Sequence, residues 1–298
     1  MSSTEIKIWN RAKNQEEVEK VYGGEWVERL YGNGLGRLLT DQVLSGHWVS
    51  SAYGFFESSA MSRAKIAPFI QNFSIPMHEF EEGPFASFND FFVRRFKPGM
   101  RPFIAAPSQM PAFAEARYLA FEKVGKSDTV PVKGLNLTPS VLLGSEKRAR
   151  EFEGGPLLLA RLCPVDYHRF HFPDGGQIFE HVTLGGPLHS VNPLALKYRP
   201  DILVTNERQV TLLETENFGR LAYIEVGALC VGKIVQSHSL TGAFKRGEEK
   251  GYFLFGGSTV IVLGQPGKWK PESDLLSRTA QGQEVLVRLG DSVARSLG

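Results

Sequence analysis

A serine that follows two glycines has an open carbonyl at its back. In Gly251-Tyr-Phe-Leu-Phe-Gly-Gly-Ser-Thr-Val-Ile-Val-Leu263, two apolar, β-favouring runs flank such a break at Gly256-Gly257-Ser258-Thr259. Glycine has no Cβ, so its carbonyl can be approached closely and its φ is nearly free. Taken alone, the pattern reads as a Gly-Gly bulge inside a strand. The Ser258 hydroxyl could instead attack the carbonyl of Gly257, but an unactivated serine needs a base to take its proton. Imidazoles stand in Cys163-Pro-Val-Asp-Tyr-His168-Arg-Phe-His171-Phe-Pro173. Pro164 and Pro173 argue against a helix there. In a strand, positions 168 and 171 face opposite sides, so they reach one pocket only across a turn or bulge. Taken alone, they read as two strand histidines without chemistry. No third histidine or cysteine lies at useful spacing, and no metal site is expected.

The elements that must position these groups change character along the 298 residues. The first hundred read as helical. Asn14 followed by Glu17 resembles a capping box opening a helix through Val18, Val21 and Tyr22. Leu35, Leu38, Leu39 and Val43 fall at near-helical spacing, and Trp48, Val49, Ala52, Phe55 and Phe56 continue the pattern. Trp26, Tyr31 and Tyr53 add to an aromatic-rich region. Such stripes are usually core; the sharper reading is a helical face that dips into a bilayer surface. Ser87 reads as the N-cap of a helix with Asp90 three residues on, which makes Asp90 a helix-terminus acid. Lys97-Pro-Gly-Met-Arg-Pro102 ends it, and the boundary between a helical part, 1–100, and a β-rich part, 101–298, is placed there.

From about residue 112 the chain becomes short runs punctuated by Gly, Pro and Asn. Ala116–Val124, Leu157–Cys163, Ile178–Leu184, Gln209–Glu214 and Leu221–Val226 read as strands, with Glu216-Asn-Phe-Gly219 as a hairpin connection. Glu284–Arg288 reads as a last strand before a short helical tail. No βα alternation appears, so the fold class is α+β: a helical N-terminal part followed by a mainly antiparallel β-rich catalytic domain. A net charge of +2 gives no electrostatic footprint for nucleic acid. Cys163 and Cys230 have no metal or redox spacing. The start, Met1-Ser-Ser-Thr-Glu-Ile-Lys, has no signal-peptide pattern, and no run approaches the ~18 apolar residues of a membrane span. A cytoplasmic protein is expected.

Six pieces in register resemble the phosphatidylserine decarboxylases: Gly256-Gly-Ser-Thr259, Asp166-Tyr-His-Arg-Phe-His171, Phe88-Asn-Asp-Phe-Phe92 with Lys97–Pro102, Val191-Asn-Pro193, Asn206-Glu-Arg208 and Glu225-Val-Gly-Ala228. They span roughly residues 20 to 290, and the long N-terminal part resembles the family branch that carries such an extension. The resemblance implies self-processing. Ser258 attacks the Gly257 carbonyl, the ester eliminates, and the chain splits into a β chain (1–257) and an α chain (258–298). Ser258 is left as an N-terminal pyruvoyl group, the covalent cofactor. His171 matches the base for self-cleavage. His168 matches the residue that handles protons while the pyruvoyl carbonyl, as a Schiff base with the substrate amine, draws off the electrons left by CO₂. Phosphatidylserine would become phosphatidylethanolamine. A phospholipid substrate implies peripheral contact with the cytoplasmic side of the cell membrane, and the family commonly forms homodimers.

One position departs from the family. Its catalytic aspartate sits in a Pro-Ala-Asp-Gly turn, where this chain reads Met110-Pro-Ala-Phe-Ala-Glu-Ala-Arg117. Glu115 falls at the aspartate and Ala116 at the glycine. Glutamate keeps the charge with one more methylene, and self-cleavage need happen only once per molecule, so processing is expected to survive. Other readings are the same machinery acting on a soluble amino acid, a processing-deficient lipid-binding relative, and a Ser258/His171 hydrolase that never splits. The last lacks a GxSxG elbow.

Overall fold

The computed structural model describes residues 6–19, 30–40, 44–125, 137–228, 233–256 and 258–298. Val21, Tyr22, Trp26, Val43, Cys230 and Gly257 lie outside them. The architecture is α+β, built on a ten-stranded sheet. From one edge it runs β11 (Gly242–Phe244), β7 (Gly176–Leu184), β8 (Arg208–Thr215), β9 (Arg220–Val226) and β13 (Ser258–Gly264). It continues through β5 (Gly155–Leu162), β4 (Ala116–Val124), β15 (Glu284–Val287), β1 (Lys7–Asn10) and β2 (Gln15–Val18). All neighbours are antiparallel except β1 and β15.

The strands β5, β9 and β13 are buried almost throughout, in keeping with their apolar stretches Leu157–Ala160, Leu221–Ile224 and Val260–Leu263. A three-stranded sheet, β10 (Ile234–Gln236), β12 (Glu249–Phe253) and β6 (Arg169–His171), shares the main core. Phe170 packs on Phe253 at 4.8 Å and on Tyr223 at 6.2 Å. The third sheet joins β14 (Trp269–Pro271), β16 (Ser292–Ser296) and β3 (Gln109–Pro111).

The predicted strands of the β-rich part are present, and Glu216–Gly219 is the β8–β9 hairpin, closed by Thr215 N–H on the Gly219 carbonyl. Two expectations are corrected. Asn14 and Glu17 do not open a helix. Asn14 sits at φ 51°, a left-handed conformation asparagine tolerates, and closes the turn from β1 to β2. Glu17 takes hydrogen bonds from Asn10 and Lys13 instead of capping. The C-terminal tail is likewise not helical. After the turn at Gly290 (φ 86°), Ser292–Ser296 is captured between β14 and β3, whose open backbone edges dictate an extended chain.

Between the first hairpin and residue 100, helices His47–Glu57, Ile66–Phe73 and Phe88–Phe92 stand on the sheets. Ser87 caps the last by accepting the Asp90 N–H, and the Asp90 carboxylate returns to the Ala86 N–H, as the spacing predicts. These helices bury Phe69, Phe88, Phe91 and Phe92 in a second, aromatic cluster together with Tyr167 and Phe255. The cluster therefore joins the helical part to both stretches singled out for chemistry.

Candidate active site

Ser258 is the first residue of β13, the strand clasped between β5 and β9, and it stands opposite Leu162. It is fully buried, and its Oγ has no hydrogen-bond partner among the described residues. A buried hydroxyl left unpartnered costs about 1–3 kcal/mol, so the arrangement calls for a reason. Gly256, two residues earlier, has φ 145°, a conformation that side-chain-bearing residues avoid. The glycine is thus demanded by the backbone just before Ser258. Gly257 itself lies outside the described residues.

The histidine stretch leaves β5 through a turn, with Asp166 N–H on the Cys163 carbonyl at 2.9 Å and the Asp166 carboxylate on the Cys163 N–H at 2.6 Å. This turn carries His168 to the Gly256 side. Its carbonyl accepts Phe253 N–H at 2.9 Å, and its ring lies 3.9 Å from that of Phe92. Nδ1 bonds the Asp166 carbonyl at 3.1 Å, while the buried Nε2 has no partner among the described residues. Burial drives this imidazole down to about 3, against the pull of the Asp166 and Gly256 carbonyls.

His171 ends β6, beyond His168, which precedes the strand, and it meets different partners. Its Nδ1 bonds the Gly247 carbonyl at 3.0 Å, and Nε2 meets the Tyr167 hydroxyl at 3.3 Å. Burial brings it down to about 4. Both rings are therefore neutral near pH 7 and able to accept a proton. Among the described contacts, His168 and not His171 lies beside Gly256.

The Glu115 carboxylate sits in the fork of Arg101, at 2.5 and 2.9 Å, and takes the Leu289 N–H at 3.2 Å. Arg101 also holds Glu79 at 2.7 Å. No described hydrogen bond joins Glu115 to either histidine. A cavity of about 430 Å³ does bring Glu115, Asp166, Tyr167, Arg94 and Arg117 to one wall.

Several supporting residues were not found by reading the sequence. Arg117 pairs with the Asp166 carboxylate and, at 3.0 Å, with Glu19. Glu19 in turn binds Arg161 at 2.7 Å and the Cys163 thiol at 2.8 Å, and Arg161 binds Glu284 at 2.5 Å. Burial pushes the Glu19 carboxyl up, but Arg161 and Arg117 more than reverse this and hold it well below the usual range. Arg94, sandwiched against Phe80 and Phe91, donates to the carbonyls of Val165 and Asp166. An arginine and a glutamate separated by a hundred residues give no local signal of such a network.

The family model described as phosphatidylserine decarboxylase matches residues 88–295. Among curated proteins, the chain is 38% identical over 294 residues to the phosphatidylserine decarboxylase proenzyme of Ruminiclostridium cellulolyticum, covering 98% of both. It is 37% identical over 290 residues to the proenzyme of that name from Clostridium perfringens, covering 97% of this chain and 99% of the relative. The Clostridium tetani proenzyme is 38% identical over 292 residues, with 97% and 98% covered. The chain thus belongs, along nearly its whole length, to the phosphatidylserine decarboxylase family of carboxy-lyases.

Proposed function

We propose that the chain is made as a precursor, splits itself between Gly257 and Ser258, and then converts phosphatidylserine to phosphatidylethanolamine and CO₂ with a pyruvoyl group formed from Ser258. The observation that carries this is the buried, unpartnered Ser258 hydroxyl at the head of a central strand, two residues after a glycine whose φ only glycine adopts comfortably. A hydroxyl so placed fits a group consumed in a reaction with its own backbone. Oγ attacks the carbonyl carbon of residue 257 and the C–N bond breaks, leaving an ester and a free amine on residue 258. β-Elimination releases the carboxylate of residue 257 and leaves dehydroalanine, whose imine tautomer takes up water and loses ammonia to give the pyruvoyl ketone. His171 is assigned the Ser258 proton by its match to the family's base, while Gly247 fixes its Nδ1–H and Tyr167 shares Nε2. The pyruvoyl group, joined to the substrate amine, would supply the electron sink for the pair left by CO₂. The chain's part is then to exclude water and move protons. His168, neutral and with the Gly256 carbonyl acting on its ring, is the group that handles them, and the surround of Phe92 and Phe255 keeps the site dry.

A lipid substrate is favoured over a soluble amino acid by the helix His47–Glu57, which turns Trp48 and Phe55 outward at 67% and 81% exposure. Met61 follows at 73%. Large apolar groups gathered on one side suit peripheral contact with a membrane. Among the described residues no helix is long and apolar enough to cross one.

Intact-mass spectrometry of the purified chain tests the reading. Fragments 1–257 and 258–298 are expected, the second blocked by a ketone, with CO₂ released from vesicles containing phosphatidylserine. Ser258→Ala and His171→Ala should stay whole, whereas His168→Ala should split without releasing CO₂. An unsplit parent chain would overturn the proposal. An exchanged pattern between the two histidines would exchange their roles.

A further inference from the structure

The helix Phe88–Phe92 places one side chain that the chemistry above leaves unused. Asn89 is buried, and both ends of its amide are engaged. Oδ1 accepts the Phe255 N–H at 2.8 Å. Nδ2 donates to Ser58 Oγ at 2.9 Å and, more weakly, to the Gly54 carbonyl at 3.4 Å. Three segments distant in the chain thus meet on one amide: the end of helix His47–Glu57, the helix Phe88–Phe92, and the backbone entering Gly256.

The helix that bears Asn89 is itself fixed. Ser62 Oγ accepts the Phe88 N–H at 2.8 Å, and Ser87 caps the first turn. Phe88 and Phe92 each close on the Phe255 ring at 5.0 Å, and Phe92 carries the His168 ring on its face. Asn89 is therefore the polar pin in an otherwise aromatic clamp. It holds an N–H adjoining Gly256, while the same helix holds the imidazole beside Gly256.

We propose that Asn89 is a positioning residue for the reaction at Ser258. Its grip on the Phe255 N–H sets the Gly256 backbone against the His168 imidazole and fixes the link that Ser258 attacks. The inference rests on the self-splitting reading. A displacement of about 1 Å at a reacting centre costs on the order of 100-fold in rate, so loosening this pin is expected to slow splitting at least about tenfold. The Asn89→Ala chain loses every bond of the amide. Asn89→Asp keeps an oxygen for Phe255, loses the donations toward Ser58 and Gly54 and adds a buried carboxylate there, so its melting temperature is read alongside.

The experiment follows the 258–298 fragment over time by intact mass after cell-free synthesis of the full chain. Hydrogen exchange at the Phe255 amide is read in parallel. Asn89→Ala should split at least tenfold more slowly and lose protection at Phe255, and Asn89→Asp should recover most of both. Three outcomes overturn the proposal: unchanged splitting in Asn89→Ala, unchanged Phe255 protection in Asn89→Ala, or equal slowing in both variants with equal losses of melting temperature. A parent chain that never splits sinks the self-splitting reading, yet Phe255 protection still reports whether Asn89 holds that amide.

Discussion

At Ser258 and the two histidines, burial decides the protonation that the chemistry needs. A free imidazole titrates near 6.5, whereas in the folded chain burial holds His168 to about 3 and His171 to about 4. Between those values the unfolded chain binds protons that the folded chain refuses. Stability from these two sites is thus complete above about pH 6.5 and is lost progressively as the pH falls toward 4 and below. Denaturant midpoints taken from pH 7.5 to 4.5 should fall steadily, and the slope should lessen in His168→Asn. A midpoint that holds or rises on acidification would show that the rings are not held neutral. Residue types and spacing alone left Ser258, His168 and His171 as strand residues without chemistry, because a Gly-Gly bulge and paired strand imidazoles are ordinary; the family resemblance singled them out. Asn89 was legible only as one letter of a family motif, and nothing along the chain sets it against Phe255. Glu115 shows the opposite limit: its position was readable, but its fork with Arg101 depends on how two loops meet.

At the level of elements, the strand before the reacting link is threaded through a tight gap. Gly251 lies in β12 between β10 and β6, and a Cβ there would stand 2.3 Å from the Val235 carbonyl oxygen and 2.7 Å from the Phe170 ring. Backbone cannot yield as a flexible side chain does. Gly251→Ala should therefore destabilise the chain by about 1–3 kcal/mol, the usual range for overpacking, and slow the appearance of fragment 258–298 as β12 shifts. Urea unfolding and intact mass read the two effects; parent-like stability would show that the gap opens freely. The long strands were readable because runs such as Val260-Ile-Val-Leu263 admit little else when bounded by turn residues. Asn14–Val18 misled because asparagine before an acidic pair suits a helix cap and a hairpin equally, and only pairing with β1 decides. The three-residue strands β3, β6, β10, β11 and β14 carry too few residues to show a period.

For the whole molecule, one aromatic cluster lies between the outward-facing helix, whose Tyr53 packs against it, and the backbone entering Gly256, where Phe255 belongs to it. Burying a large apolar side chain is worth about 1.5–3 kcal/mol. Replacing Trp48 and Phe55 together by serine should weaken sedimentation with anionic phospholipid vesicles about tenfold or more, while splitting of the chain continues. Unchanged sedimentation would assign the membrane contact to another face. The position of β13 has a further consequence. It is laced to β9 on one side and β5 on the other, and its sequel β15 lies between β4 and β1, while β16 runs between β14 and β3. Residues 258–298 are thus woven into all that precedes them rather than appended to it. A cut ahead of Ser258 frees an end without freeing a piece, and the new terminus stays where it was made, sealed inside a fabric that never has to reassemble.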